Sequence, residues 1–312
     1  MAARDTFLGT DQTRKPRLLF WELPNRYSKF GMLIILPTII YFLVFRIGPI
    51  IYSLIASFSD WNLVEKMRFI GGANYIRAVT DKVFLASLQR SLTYSIVVVT
   101  CTLTISIVLA VLFDQTLSFR NWYRAAYFLP TVISWVVISI IWKTMYNPSF
   151  GLVSYIADLL HITPIPILTS TQRALPGIMV IGIWQAIGFY MVIFLAALQA
   201  IDPNLYEAAV IDGASPVKTF WNITLPLLRP TLLFAIVMST IETLQVFAQV
   251  YVMTRGGPAN STLVAVYYIY RTAFYLQDMG YASALAIILL IVIMCLSLLY
   301  LKFFKTETYY SR

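Results

Sequence analysis

The chain has 312 residues, of which 59% are hydrophobic and only 12% charged, with a formal net charge of +9. Its mean hydropathy is +0.76. A soluble domain carries about a quarter of its residues as charged side chains, so that class is excluded and an all-α, polytopic membrane protein in a lipid bilayer is expected. The positive balance fits basic flanks that hold spans against anionic headgroups; with no basic helix of interleaved aromatics, no nucleic-acid partner is expected.

Residues 1–29 are polar and basic, with Arg4, Arg14, Lys15, Arg17, Arg26 and Lys29, and read as a cytoplasmic tail. The first apolar run begins near Phe30, is longer than a signal h-region and lacks a small-x-small exit, so no cleavable signal is expected. The first span covers about residues 30–55, and Pro37, Arg46 and Pro49 make its outer third irregular. Arg46 either snorkels to the interface or meets an acid on another helix. An amphipathic connection over residues 59–90 leads to an uninterrupted second span at about 91–113. A short loop with Asp114, Arg120 and Arg124 precedes the third span, about 126–146, which contains Pro130 and Trp135. A long polar and proline-rich connection over residues 147–176 leads to the fourth span, about 177–200. A polar loop at 203–230 follows, then the fifth span at about 231–254. A Gly-Gly-Pro turn at residues 256–258 opens a tyrosine-rich segment, the sixth span covers about 282–304, and residues 305–312 form a short tail.

Six spans of about twenty residues match a hydrocarbon core of about 30 Å, giving a six-span domain over residues 30–304 with both termini on one side. Basic residues favour that side only modestly: Lys66, Arg68, Arg77, Lys82, Arg173, Arg255 and Arg271 lie on the other. Cys101 and Cys295 fall in apolar runs without CxxC spacing and read as packing residues. His161 is the single histidine, so a His-based metal site lacks partners. There is no internal repeat and no inverted hydropathy symmetry.

The loop reads EAAVIDGASPVKTFWNITLPLLRP over residues 207–230. Asn204, three residues before Glu207, has capping-box spacing, and Pro203 suits a first helical turn. A helix is expected over about residues 203–212, closed by Gly213. Ser215-Pro216 then opens a second short helix, which Pro226 stops. Ala208 and Ala209 leave one face nearly bare, which suits docking better than catalysis.

Glu242 stands at the centre of the fifth span, where a charge costs several kcal/mol unless it faces water or a partner. Ser239, Glu242, Thr243 and Val246 share one broad helical face, flanked by Gln245 and Gln249. Such a stripe is either packing glue, here a hydrogen bond to a neighbouring helix or to Arg46, or the wall of an aqueous path. The path is favoured, because carboxylates and amides bind sugar hydroxyls and aromatics stack on sugar rings; the fourth span offers Trp184, Gln185 and Phe189. An ionised Glu242 lining the path disfavours anionic solutes unless Arg46 compensates, so a neutral oligosaccharide is expected. No GxxxxGK[ST] phosphate cradle is present, so energy comes from a partner, from an ion gradient or not at all.

The segments Glu207-Ala208-Ala209, Asp212-Gly213-Ala214 and Ile223-Thr224-Leu225-Pro226 together resemble the EAA loop of ABC-importer permeases. LTYSIVVV at 92–99, YFLPTVIS at 127–134, NPSFG at 147–151, TRGGPANST at 254–262 and GYASALA at 280–286 resemble the sugar-type members, of the maltose and glycerol-phosphate kind. The resemblance implies a type I permease fold in a bacterial or archaeal cytoplasmic membrane, with the loop in the cytoplasm as the coupling element. It implies a heterodimer with a second permease, two copies of an ATPase subunit that use ATP and Mg, and an extracytoplasmic solute-binding protein. The fourth and fifth spans would line the path, and the chain itself would need no cofactor. The alternatives from other classes are an ion-coupled secondary transporter of a polar solute, which calls for further acids or broken helices at mid-membrane, and a structural or assembly protein.

Overall fold

The computed structural model describes residues 25–114, 120–161, 163 and 166–303. Most of the N-terminal tail, and all of the tail at 305–312, lie outside them. The chain divides into two compact units, Met1–Tyr52 and Ser53–Arg312. In the first, α1 (Asn25–Phe42) runs into a π-helical turn, Leu43–Ile47, which carries Arg46. Helix α2 (Gly48–Ser57) follows and leads into the second unit. Among the described residues five helical runs are long and apolar enough to cross a membrane, or six if one bent pair counts as a span.

The second unit opens with β1 (Ser59–Asp60) and β2 (Arg68–Phe69), an antiparallel pair, then α3 (Ala73–Thr80). Helix α4 (Lys82–Asp114) is 33 residues long and starts well before the hydropathy rises. Its start is set by a cap: Asp81 Oδ1 accepts from the backbone N–H of Val83 at 2.9 Å and of Phe84 at 3.1 Å.

The third predicted span is not straight. Helices α5 (Arg120–Val132) and α6 (Trp135–Met145) meet at a 99° bend, where Ser134 takes an extended conformation and starts α6. The connection after α6 holds a short helix, α7 (Leu152–Leu159). Helix α8 (Ala174–Gln199) then packs along α4 and α5. A Cβ on Gly188 of α8 would run into the Tyr127 carbonyl, so only glycine lets α5 approach this closely.

Next come α9 (Pro203–Ile211) and α10 (Pro216–Thr219), followed by a π-helical turn, Phe220–Thr224, and α11 (Leu225–Leu227). Pro226 does not stop this run, because it sits at the start of α11, where its missing N–H costs nothing. Helix α12 (Arg229–Leu244) follows after Leu228. The fifth predicted span is also broken: α12 ends at Leu244 and α13 (Ala248–Met253) begins after three intervening residues. Helix α14 (Ala265–Tyr270), a π-helical turn at Arg271–Tyr275 and α15 (Met279–Phe303) complete the fold. Cys101 is partly buried on α4 and Cys295 is exposed on α15, so only the first packs within the chain.

Large buried side chains cement α4 to α8: Tyr94, Val98, Ile178 and Ile181 in one cluster, Leu103, Tyr190 and Phe194 in a second. At the ends of the spans opposite the 203–230 loop, Asp81 Oδ2 accepts from the hydroxyls of Tyr268 at 2.6 Å and Tyr281 at 2.7 Å. The same carboxylate therefore starts α4 and ties α14 and α15 to it. Burial and the adjacent Asp81 carboxylate push the Tyr268 hydroxyl up to about 12. Beside it, Arg77 pairs with Asp278 at 2.7 Å and lies 3.8 Å above the Tyr281 ring.

Burial alone would raise the Asp81 carboxyl; the hydrogen bonds from Tyr268, Tyr281, Phe84 and Val83 outweigh it and hold the group below its usual 3.8. A carboxyl lowered on folding stabilises above its unfolded value and loses that contribution as pH falls through the folded one. The thermal midpoint of the purified protein should therefore be insensitive to this group near neutral pH and drop below pH 3.8. Asp81→Asn should blunt the drop; an unchanged acid profile in the variant contradicts the assignment.

Candidate functional site: a membrane cavity and an exposed elbow

Two places stand out, one inside the spans and one at their end. The first is a cavity of about 530 Å³ walled by α4, the α5–α6 bend, α8, α12 and the break before α13. All six residues of the predicted path line it: Gln185 and Phe189 from α8, Ser239, Glu242 and Thr243 from α12, and Val246 from the break. Trp184 does not; it packs edge-on against Trp142, with ring centroids 5.5 Å apart.

The polar groups of the wall are held in place. Tyr190 donates from its hydroxyl to Glu242 Oε2 at 3.2 Å. Thr243 Oγ1 lies 2.7 Å from the Ser239 carbonyl and 2.7 Å from Ser95 Oγ. Its one proton goes to the carbonyl, so Ser95 is the donor across the α4–α12 contact. The exposed Glu242 carboxylate takes a hydrogen bond from a neighbouring helix and faces the cavity as well. Gln185 and Gln249, 9% and 5% exposed, add amides to the same wall. No lysine or arginine is among the described residues that line it.

The break in the fifth span brings Gln245, Val246 and Phe247 into the cavity wall. The amides of Gln245 and Val246 turn back to carbonyls only three residues away, at 3.2 and 3.3 Å, so the regular ladder ends there. Backbone freed in this way is tolerated at membrane depth only in protein or against water. No proline or glycine lies between Thr231 and Arg255, so nothing in the local sequence announces the break. The sequence reading also missed Tyr94, Tyr190, Thr131 and Trp135, which join the wall. A tyrosine buried in a span needs a partner for its hydroxyl, and that need is the signal that could have found the first two.

The second place is the elbow at 203–228. Its first helix is capped by Asp202, whose Oδ1 accepts from Asn204 N–H at 3.0 Å, and not by the expected Asn204–Glu207 box. Pro203 fixes the first turn and leaves Asp202, one residue earlier, as the capping position. The far end closes as expected. Gly213 has φ +70°, the Ala214 amide returns to Ala209 O at 2.9 Å and the Gly213 amide to Val210 O at 3.0 Å. Ser215 Oγ then accepts from Lys218 N–H and starts α10. Tyr206 and Thr224 hydroxyls meet at 3.2 Å and tie the two arms together.

Of the residues read as a docking set, Glu207, Ala208, Asp212 and Gly213 are exposed and Ala214 partly so, while Ala209 faces inward at 5%. The sequence reading passed over the apolar ones around them. Val210 is 74% exposed, Ile211 85%, Val217 68% and Trp221 60%. The two capped helices and the π-helical turn of the elbow thus leave four large apolar side chains to the outside.

Comparison with known proteins agrees with this architecture. Residues 26–305 match the family described as binding-protein-dependent transport system inner membrane component. The chain is 33% identical over 282 residues to the trehalose/maltose transport system permease protein MalF of Thermococcus litoralis, across 90% of this chain and 95% of that one. It is 35% identical over 284 residues to the lactose transport system permease protein LacF of Rhizobium radiobacter, across 89% and 95%. The fold superposes with a TM-score of 0.81 and 26% identity on a chain of a bacterial alginate ABC transporter crystallised in complex with an alginate pentasaccharide-bound periplasmic protein, covering 90% of this chain and 97% of that one. The chain therefore belongs to the binding-protein-dependent transport system inner membrane components, and is a permease subunit of an ABC importer rather than an enzyme.

Proposed function

We propose that the chain forms part of the translocation path of an ATP-driven importer for a neutral sugar or oligosaccharide. The relatives named for trehalose, maltose and lactose support the sugar, and the cavity supports its charge class. Its wall carries Glu242 and two buried glutamines but no cation among the described residues. That lining is the observation that carries the reading. Amides, hydroxyls and a carboxylate hydrogen-bond to sugar hydroxyls, Phe189 and Trp135 offer ring faces, and an unpaired anionic sugar would be repelled.

In the same reading the 203–228 elbow lies in the cytoplasm, as do both termini, and docks on a separate ATPase subunit. Glu207, Ala208, Asp212, Gly213 and Ala214 form its exposed edge together with Val210, Ile211, Val217 and Trp221, while Ala209 supports it from within. The tie between Tyr206 and Thr224 and the two helix caps let the elbow transmit a push without bending. A second permease, two ATPase copies and a solute-binding protein at the opposite ends of the spans complete the assembly. ATP and Mg are used by the ATPase copies and not by this chain. The broken fifth span, which alone would suit an ion-coupled carrier, here serves to open polar backbone to the solute.

Two substitutions test these assignments. Glu242→Ala removes a charge-assisted hydrogen bond to solute, worth about 1.5–3 kcal/mol, and should cut sugar uptake by the complete importer on the order of tenfold or more. Wild-type uptake contradicts a role in the path. Gly213→Val forces a β-branched residue to positive φ at a cost on the order of 1–3 kcal/mol. It should abolish co-purification of the ATPase while the chain still inserts in the membrane; a fully active assembly contradicts the docking role.

A further inference from the structure

A run of aromatic rings leads away from the cavity toward the ends of the spans opposite the elbow. It begins at Phe247, which lines the cavity, and continues through Tyr251 on α13. Tyr267, Tyr270 and Phe274 occupy one face of α14 and its π-helical extension at i, i+3 and i+7, and Tyr275 follows. Ring centroids are 5.4 Å apart for Phe247 and Tyr251, 5.1 Å for Phe247 and Tyr270, and 5.0 Å for Tyr270 and Phe274. Tyr270 also meets Tyr251 at 5.7 Å and Tyr275 at 5.9 Å. Tyr267 is 4% exposed, whereas Phe274 and Tyr275 at the far end are 58% and 59% exposed. The run is thus continuous from the protein interior to its surface.

The opposite face of α14 is anchored. Tyr268 donates to Asp81, the Ala265 amide donates to Ser91 Oγ at 2.8 Å, and Thr272 is fully buried. The rings are therefore presented on a fixed element. An aromatic belt at a membrane interface spreads around the perimeter at one depth; these rings touch one another in file and end in the cavity.

We propose that this file is a second sugar-binding site, a stacking track on which sugar rings pass from Phe274 and Tyr275 to Phe247. It rests on the reading of the chain as a sugar permease. The C–H bonds on one face of a pyranose are weakly positive and settle on the negative face of an aromatic ring, and tyrosine adds a hydroxyl for the sugar's own. Two occupancies follow, one at the surface and one in the cavity, so that an oligosaccharide is held along its length.

The test uses the complete importer (this chain, its second permease, ATPase and binding protein) in liposomes with radiolabelled maltose, trehalose and lactose. The sugar that wild type accumulates is the reporter. Tyr270→Ala and the surface variant Tyr275→Ala should each lower sugar accumulated per ATP hydrolysed by about three- to tenfold, and Tyr270→Phe, which keeps the ring, should retain at least half. Co-purification of the partner chains should be unchanged in all three. Wild-type accumulation in both alanine variants overturns the track. So does raised ATP hydrolysis without binding protein together with normal accumulation, which would make the rings a plug, or a loss that only follows reduced assembly, which would make them a membrane anchor. A wild-type importer that accumulates no neutral sugar from a panel of mono- and oligosaccharides that includes these three overturns the sugar reading itself, and the track with it.

Discussion

A backbone amide or carbonyl without a partner costs several kcal/mol in hydrocarbon, so a chain that breaks its own helices inside a membrane must give the freed groups water or protein to face. This constraint organises the fold. The fifth span stops at Leu244 and resumes at Ala248, and the third turns through 99° after Val132. Both interruptions open on the same cavity, to which Gln245, Val246 and Phe247 contribute from one break, and Thr131 and Trp135 from the other. The straight pair, α4 and α8, supplies the rigid back wall, packed through Tyr94, Tyr190 and Phe194.

The two ends of the spans are held by different means. At the ends of the spans opposite the elbow a single carboxylate, Asp81, joins three helices by four hydrogen bonds. At the elbow, side-chain caps and a glycine turn fix two short helices while leaving Val210, Ile211, Val217 and Trp221 to the outside. A push on the elbow enters α12 directly through the π-helical turn and α11, and α12 carries Glu242. The elbow and the cavity are thus two ends of one helical run.

Much of this was legible in the sequence, for identifiable reasons. Long apolar runs are read by hydropathy, so the second, fourth and sixth spans fall within a few residues of α4, α8 and α15 except at the α4 start, where the Asp81 cap takes over. The elbow was legible because Gly213 and Ser215-Pro216 have specific turn chemistry; the errors there were the register of the first cap, since Pro203 makes Asp202 the cap, and the role of Pro226, which starts a helical turn instead of ending one. The clustering of Gln185, Phe189, Ser239, Glu242, Thr243 and Val246 followed from helical periodicity and from the cost of charge in lipid. The break at 245–247 and the bend at 133–134 were not legible. The first has no proline or glycine at all, and the second falls three residues after Pro130; tertiary packing sets both.

The central claim is that the cavity beside Glu242 is a water-filled solute path whose access changes as the elbow is driven. Gln245→Cys, in a chain with Cys101 and Cys295 replaced by serine, tests it through labelling by a membrane-impermeant thiol reagent in the complete importer. The account predicts labelling from one side of the membrane in the resting complex and a shift of the accessible side when the ATPases are trapped with nucleotide. A residue that never labels, or that labels identically in both states, would contradict it.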